Sequence, residues 1–345
     1  MATIKDVAEK AGVSVGTVSK VLRNVYVRPE NRRRVEEAIE LLNYQVNTYA
    51  QGLRASQTYT IAIIVPDLIN PFFALLVNYV EQVLAAIGYR LFVCNSHCNA
   101  GRELSYINMV RRNKVDGLIA VTYSNSTEYE NADFPLVSID RHYAGESCCV
   151  ASDNAMGGEL AARKFIDTGC RSVIYIHNGS LLEGETLKRG HTFLNTCRQA
   201  GIRSTEIHFS EETTLDNVRI RQIEQFISQS TRDGRCDYDG IFASSDVHAM
   251  VIRRQLERLG LKVPEDVQVI GYDGMRVMNV GGYYVSTIVQ PVKEMALACV
   301  DNLIRRIENR PYERSVILPV RFVGGGTTKG DPDQPDPEAE ADLTW

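Results

Sequence analysis

From Tyr59 onward the chain alternates short apolar runs with longer segments whose apolar residues recur every three or four positions. The runs Ile61–Val65, Leu91–Cys94, Gly117–Val121 and Leu136–Ile139 predict strands, and the amphipathic segments Phe73–Ile87 and Arg102–Arg112 predict helices. The rhythm restarts after Asp153 with a helix to Thr168. Strands are then predicted at Ser172–Ile176, Ile207–Phe209, Gly240–Ala243 and Val267–Ile270, with helices near Glu185–Ala200, Leu215–Ser230 and Val247–Leu259. This is the βαβ pattern of parallel sheets covered by helices, so the fold class is α/β with two doubly wound lobes. Ligands of such sheets bind outside the carboxyl ends of the strands.

The first 46 residues follow a different, all-helical pattern. Thr3-x-x-Asp6 is a capping box for a helix whose Ile4, Val7, Ala8 and Ala11 share one face, and Gly12 ends it in a left-handed turn. Ser14 can cap a second helix with Val18, Val21 and Leu22 inward and Val15, Gly16, Thr17, Ser19 and Lys20 outward. Pro29 opens a third helix, through Leu42, with Arg32, Arg33 and Arg34 outward. Helix, glycine turn and helix in so short a span is helix-turn-helix geometry, although the pattern alone describes any small three-helix bundle equally well.

Composition narrows the class. At 345 residues and 44% hydrophobic, with mean hydropathy −0.18, the chain can build several modules with their own cores. No stretch approaches the roughly 18 uncharged apolar residues of a membrane span. Lys5, Asp6, Glu9 and Lys10 stand where a signal peptide needs an apolar core, which predicts a cytoplasmic protein that meets no membrane. Eight cysteines without a Cys-x-x-Cys pair read as reduced thiols; neither a metal set nor a cofactor loop is expected. Gly324-Gly325-Gly326-Thr327-Thr328-Lys329 lacks the spacing and following helix of a phosphate loop, so a terminal turn is expected. The net charge of −5 is unevenly spread. Residues 1–57 hold nine Lys/Arg against six Asp/Glu, net +3, leaving 29 against 37, net −8, for the rest. A basic head on an acidic body suits a protein of which one module approaches a polyanion.

Ile4-Lys5-Asp6-Val7-Ala8, Ala11-Gly12-Val13-Ser14, Thr17-Val18-Ser19, Leu42-Asn43-Tyr44 and Asn47 closely resemble the head of the LacI/GalR family of bacterial transcription regulators. The resemblance implies that the second helix lies in the DNA major groove. Val15, Gly16 and Lys20 then match base-reading positions, Lys20 as a donor to guanine and Val15 as a contact for a thymine methyl. Ser14, Thr17, Ser19, Tyr44 and Asn47 would serve phosphate contacts; Thr3 and Arg23 are further DNA-binding residues, Arg23 standing where the family usually has Asn. Residues 47–58 match the family's hinge, which implies a helix formed on operator DNA with Leu53 as the minor-groove wedge; Val46 replaces a usual Pro and Gly52 lowers helix propensity there.

Asn70-Pro71-Phe72-Phe73, Asp153-Asn154, Gly157-Gly158 and Ile270-Gly271-Tyr272-Asp273 likewise resemble the family's effector domain, over 59–328, which is shaped like a periplasmic sugar-binding protein. Asp140-Arg141, Phe242-Ala243-Ser244-Ser245-Asp246 and Ile288-x-Gln290-Pro291 are most similar to its sucrose-operon branch. The organisation implied is a DNA-binding head at 1–46, the hinge at 47–58 and the effector and dimerisation domain at 59–328. Its first lobe takes 59–152 and 286–318 and its second 153–285 and 319–328, with an acidic, disordered tail at 329–345. The implied effector residues are Phe72 or Phe73 as a stacking face, with Asp140, Asp153, Arg189, Asp246, Asp273 and Gln290 around a polyol. Asp153 and Asp140 equally suit helix caps or ion pairs. The expected partners are palindromic double-stranded operator DNA, a small effector, foremost a sugar, and a second copy of the chain, because two half-sites need two heads. A corepressor-dependent regulator answering to a nucleoside or purine, and a transport-type sugar-binding protein, are the alternatives. An enzyme is not expected, since no nucleophile motif accompanies the carboxylates and the six histidines are scattered.

Overall fold

The computed structural model describes residues 2–22, 25–44, 57–112, 115–122, 129, 132–143, 147–177, 184–209, 217–276 and 282–331. The chain divides into two compact units, Met1–Thr58 and Tyr59–Trp345.

In the first unit α1 (Ile4–Ala11), α2 (Val15–Leu22) and α3 (Pro29–Leu41) enclose a small core of Val7, Ala8, Ala11, Val18, Val21, Val35 and Ala38. The capping box forms: the Thr3 amide donates to Asp6 Oδ2 at 2.7 Å and the Asp6 amide to Thr3 Oγ1 at 3.4 Å. The Thr3 amide holds the Asp6 carboxyl below its ordinary pKa. Gly12 ends α1 at φ 64, and the Ser14 hydroxyl accepts the Thr17 amide at 3.2 Å to begin α2. Val15 departs from the outward expectation: it is half-buried against the head core. A first-turn side chain tilts back toward the helix N-terminus and covers the turn between α1 and α2. Arg23, Asn47, Leu53, Val46 and Gly52 lie outside the described residues.

The second unit holds two six-stranded sheets. In the first, β1 (Thr60–Val65), β2 (Arg90–Asn95), β3 (Gly117–Val121), β4 (Leu136–Ile139), β5 (Cys148–Ser152) and β13 (Ser315–Leu318) run parallel in the order β13-β5-β4-β3-β1-β2. Every residue of β1 is buried because both faces are covered. Ile61 and Ile63 meet α4 (Pro71–Ala86) and α10 (Val292–Ile307), while Ala62 and Ile64 meet α5 (Ala100–Arg111).

The second sheet contains β6 (Ser172–His177), β7 (Arg203–His208), β10 (Gly240–Ala243), β11 (Gln268–Asp273), β12 (Ser286–Val289) and β14 (Arg321–Val323). Its order is β14-β12-β11-β10-β6-β7, with only the β12–β14 pair antiparallel. Helices α6 (Asn154–Asp167) and α7 (Glu185–Gln199) cover one face, α8 (Asn217–Gln229) and α9 (Asp246–Arg258) the other. A short hairpin, β8 (Thr231–Arg232) and β9 (Arg235–Cys236), follows α8.

Four expectations change. Strand β5 was not expected, because Cys-Cys-Val-Ala-Ser has too few branched residues to stand out as a strand. Strand β7 spans Arg203–His208 rather than Ile207–Phe209, since an edge strand needs little apolar signal. Ser286–Val289, assigned from sequence to the first lobe, pairs with β11 and β14 and so belongs to the second; the chain changes lobes at Gln290 and Pro291. Lys329–Asp331 do not begin a loose tail. Asp331 accepts the Ser286 hydroxyl at 2.6 Å and pairs with Lys164 at 3.1 Å, and the Lys329 amide donates to Gln268 at 2.9 Å.

Candidate functional site

The chain passes between lobes after β5, after β12 and after β13, and polar residues gather where the strands end. Asp140 follows β4 with a left-handed φ of 60, and its Oδ1 accepts Asn154 Nδ2 at 3.3 Å. Asn154, fully buried at the start of α6, also donates to the Ser152 carbonyl at 2.9 Å. Its Oδ1 accepts two Arg189 donors, Nε at 3.1 Å and Nη2 at 2.7 Å. Arg189 Nη1 donates to the Ser244 carbonyl at 2.7 Å, and the guanidinium lies 3.2 Å above the centre of the Tyr272 ring. This combination of stacking and forked donation is what arginine supplies and lysine cannot.

Two adjacent glycines of α6 make this approach possible. A Cβ on Gly158 would collide with the Arg189 carbonyl, and one on Gly157 would stand 2.7 Å from the Tyr272 ring. Helices α6 and α7 therefore meet at backbone distance, with Arg189 delivered to the strand ends.

On the other side of the site Asp273 ends β11 at φ 118, a strained conformation that persists where its surroundings over-determine it. Gln290 Nε2 donates to Asp273 Oδ1 at 2.8 Å while Gln290 Oε1 accepts the Ser152 hydroxyl at 2.7 Å. Asn70, the cap of α4 in the first lobe, hydrogen-bonds to Asp273 as well. Burial pushes Asp140 up to about 6, against the pull of Arg189 and Asn154. Burial pushes Asp273 up to about 7, against Arg189 and Gln290. Two reluctant carboxylates beside one guanidinium form a site whose hydrogen bonds a hydroxyl-rich molecule can complete.

The structure brings Asp140, Arg189, Asp273 and Gln290 together, sets Asp246 near Asp273, and gives Asp153, Phe72 and Phe73 other partners. Asp153 caps α6, accepting the Met156 amide at 2.8 Å. Phe72 and Phe73 pack edge to face, 5.4 Å between centroids, within the buried core of the first lobe, because the first turn of α4 turns both rings inward. Asp246 is 1% exposed, with one oxygen taking the Met275 amide and the other buried. Burial, then Asp273, raise its pKa well above the ordinary value. Its side chain turns back toward Gly271, where only a glycine leaves room. Sequence reasoning missed Asn154, Ser152, Tyr272 and Asn70 as site residues; their positions at strand and helix ends were the available signal.

In the head, Ser14 just before α2 and Gly16 and Lys20 on α2 are exposed, with Thr17 and Ser19 half-buried and Tyr44 packed partly against the core. Thr3 is exposed at the start of α1.

Residues 3–47 match the model for bacterial regulatory proteins of the lacI family, and residues 162–328 match the periplasmic binding protein-like domain. The chain is 32% identical over 332 residues to the sucrose operon repressor of Pediococcus pentosaceus, covering 94% of this chain and 98% of that one. It is 34% identical over 336 residues to the ribose operon repressor of Bacillus subtilis, covering 95% and 99%. Among solved structures it is similar to a periplasmic binding protein/LacI transcriptional regulator from Alkaliphilus metalliredigens complexed with D-xylulofuranose, at TM-score 0.67, 27% identity and 78% and 99% coverage. The fold also matches the lac repressor dimer bound to operator and the anti-inducer ONPF, at TM-score 0.78, 20% identity and 95% and 99% coverage.

Proposed function

This chain belongs to the lacI family of bacterial regulatory proteins, and we propose that it is an operator-binding repressor of a sugar-utilisation operon, controlled by a small neutral sugar held between its lobes. The supporting observation is the run Asp140–Asn154–Arg189–Tyr272 beside Asp273–Gln290–Ser152, which joins strand ends of both sheets. A molecule bound there touches both lobes and so favours one lobe angle over another. Asp140 and Asp273 accept hydroxyls, and Arg189 supplies the remaining N–H donors.

The head reads DNA through α2. Lys20, exposed on α2, reads a guanine edge; Val15, half-buried, presents part of its side chain to a thymine methyl; and Gly16 lets the backbone approach. Thr3, Ser14, Thr17, Ser19, Tyr44 and Asn47 hold phosphates, with Arg23 close by in sequence, and Leu53 of the hinge wedges the minor groove. A palindromic operator requires a homodimer.

Footprinting on a palindromic operator, with sucrose, ribose and purine nucleosides added in turn, tests the reading. A sugar that releases the footprint supports it. A purine that strengthens the footprint would replace it with a corepressor. No footprint with any addition would overturn it. Lys20→Ala should cost about 1–3 kcal/mol at one base pair and relax the preference there, whereas loss of a phosphate contact weakens every sequence equally.

A further inference from the structure

Beside the effector residues, the two lobes are joined by a second set of groups. His142 lies three residues past β4 in the first lobe, and Glu185 is the first residue of α7 in the second. His142 Nε2 and Glu185 Oε1 are 2.9 Å apart. Facing a carboxylate, that nitrogen carries the proton and donates. The Glu185 amide donates to the carbonyl of Asp140 at 2.9 Å. Lys188, one turn along α7, donates to both Glu185 oxygens at 2.8 Å but stays within the second lobe. The Glu185 side chain is only 6% exposed, while those of His142 and Lys188 are half exposed. Burial alone would raise the Glu185 carboxyl; Lys188 and His142 overcome it and hold the group below its ordinary value. Opening the lobes must break both bonds across the gap and leave the Glu185 amide unpaired beside Asp140.

We propose that His142 and Glu185 form an interlobe clasp that holds the cleft closed around Asp140 and thereby strengthens effector binding without touching the effector. Glu185 acts as a positioning residue: its amide fixes the backbone of Asp140, and its carboxylate is secured by the opposite lobe. The clasp stands on geometry alone, whereas its consequence for sugar affinity rests on the function proposed above.

The experiment separates the two. Hydrogen exchange of the Glu185 amide in the intact, sugar-free protein reads opening directly, with the amides of Val269 and Ile270 in the core of β11 as the control for general loosening. His142→Ala should speed exchange at Glu185 by about five- to tenfold, the loss expected for an ordinary intramolecular hydrogen bond, and leave the control unchanged. Lys188→Ala, which removes a bond within one lobe, should stay within about twofold of wild type, and His142→Lys should restore most of the protection. Equal effects of His142→Ala and Lys188→Ala, no effect of His142→Ala, or failure of His142→Lys to restore protection would overturn the clasp. Calorimetry with sucrose and with ribose then reads the consequence: the sugar that binds wild type should bind His142→Ala more weakly by a similar factor. Equal affinity would sever the clasp from effector binding. Faster exchange in His142→Ala with neither sugar bound by wild type would uphold the clasp and count against the sugar reading.

Discussion

Asp140 and Asp273 each hold a proton more tightly in the folded chain than in the unfolded one, at about 6 and about 7 against an ordinary 3.8, with burial as the main cause. For a raised carboxyl the stability it contributes is present at low pH and is lost as pH rises through the folded value, here from about pH 4 to above pH 7. Asp273→Asn removes one such group. In thermal melts without ligand, the variant should therefore lose less stability than wild type between pH 5 and pH 8 and be the more stable of the two at pH 8, while its sugar affinity falls at least about tenfold. A parallel pH dependence in the two proteins would show that Asp273 is ionised throughout. Sugar hydroxyls donate best to the ionised form, so wild-type affinity should climb over the same interval. Asp273 was legible in the sequence because it stands at the end of a predicted strand, and Asp140, Arg189 and Gln290 through the resemblance. Asn154, Asn70 and Ser152 were not, since short polar residues at element ends usually satisfy local backbone groups, and only the assembled lobes show that Asn154 reaches Arg189, Asn70 reaches Asp273 and Ser152 reaches Gln290.

At the scale of elements, the α6–α7 contact decides where Arg189 sits. Ala is the better helix former by about 1 kcal/mol, so substitution of a helical glycine stabilises where there is room and destabilises where there is not. Gly158 has none, since a Cβ meets the Arg189 carbonyl, which is backbone and cannot rotate aside. Gly158→Ala should cost about 1–3 kcal/mol net in urea unfolding and weaken sugar binding in the same samples. Gly16 has room, with a Cβ 3.7 Å from the Ser14 hydroxyl, so Gly16→Ala should stabilise the head by up to about 1 kcal/mol. A stabilising Gly158→Ala would mean that α7 shifts freely and that its backbone contact with α6 does not position Arg189. The elements themselves were read from sequence where amphipathic helices and runs of branched residues recur. They were misread at β5, β7 and β12, where strands are short, weakly apolar or depend on partners distant in the chain.

At the scale of the whole chain the division of charge has a measurable consequence. The first 57 residues carry net +3 and the remainder net −8, so attraction to DNA must come from the head and be opposed by the body. Each phosphate neutralised releases condensed counterions, and log affinity falls linearly with log salt in proportion to their number. A dimer that seats two heads on one operator and makes about 6–10 phosphate contacts should lose about three to five orders of magnitude in affinity between about 50 and 200 mM salt. Lys20→Ala, if Lys20 reads a base, should lower affinity on the operator while leaving that slope nearly unchanged, whereas loss of a phosphate contact from each of the two heads would flatten it by about two units. The two slopes, measured by fluorescence anisotropy on one palindrome, therefore assign Lys20 to base or backbone. A half-site duplex should give about half the wild-type slope, because only one head can engage it. Equal slopes on half-site and palindrome would mean that the second head adds no phosphate contacts, and would remove the argument for a symmetric dimer on DNA.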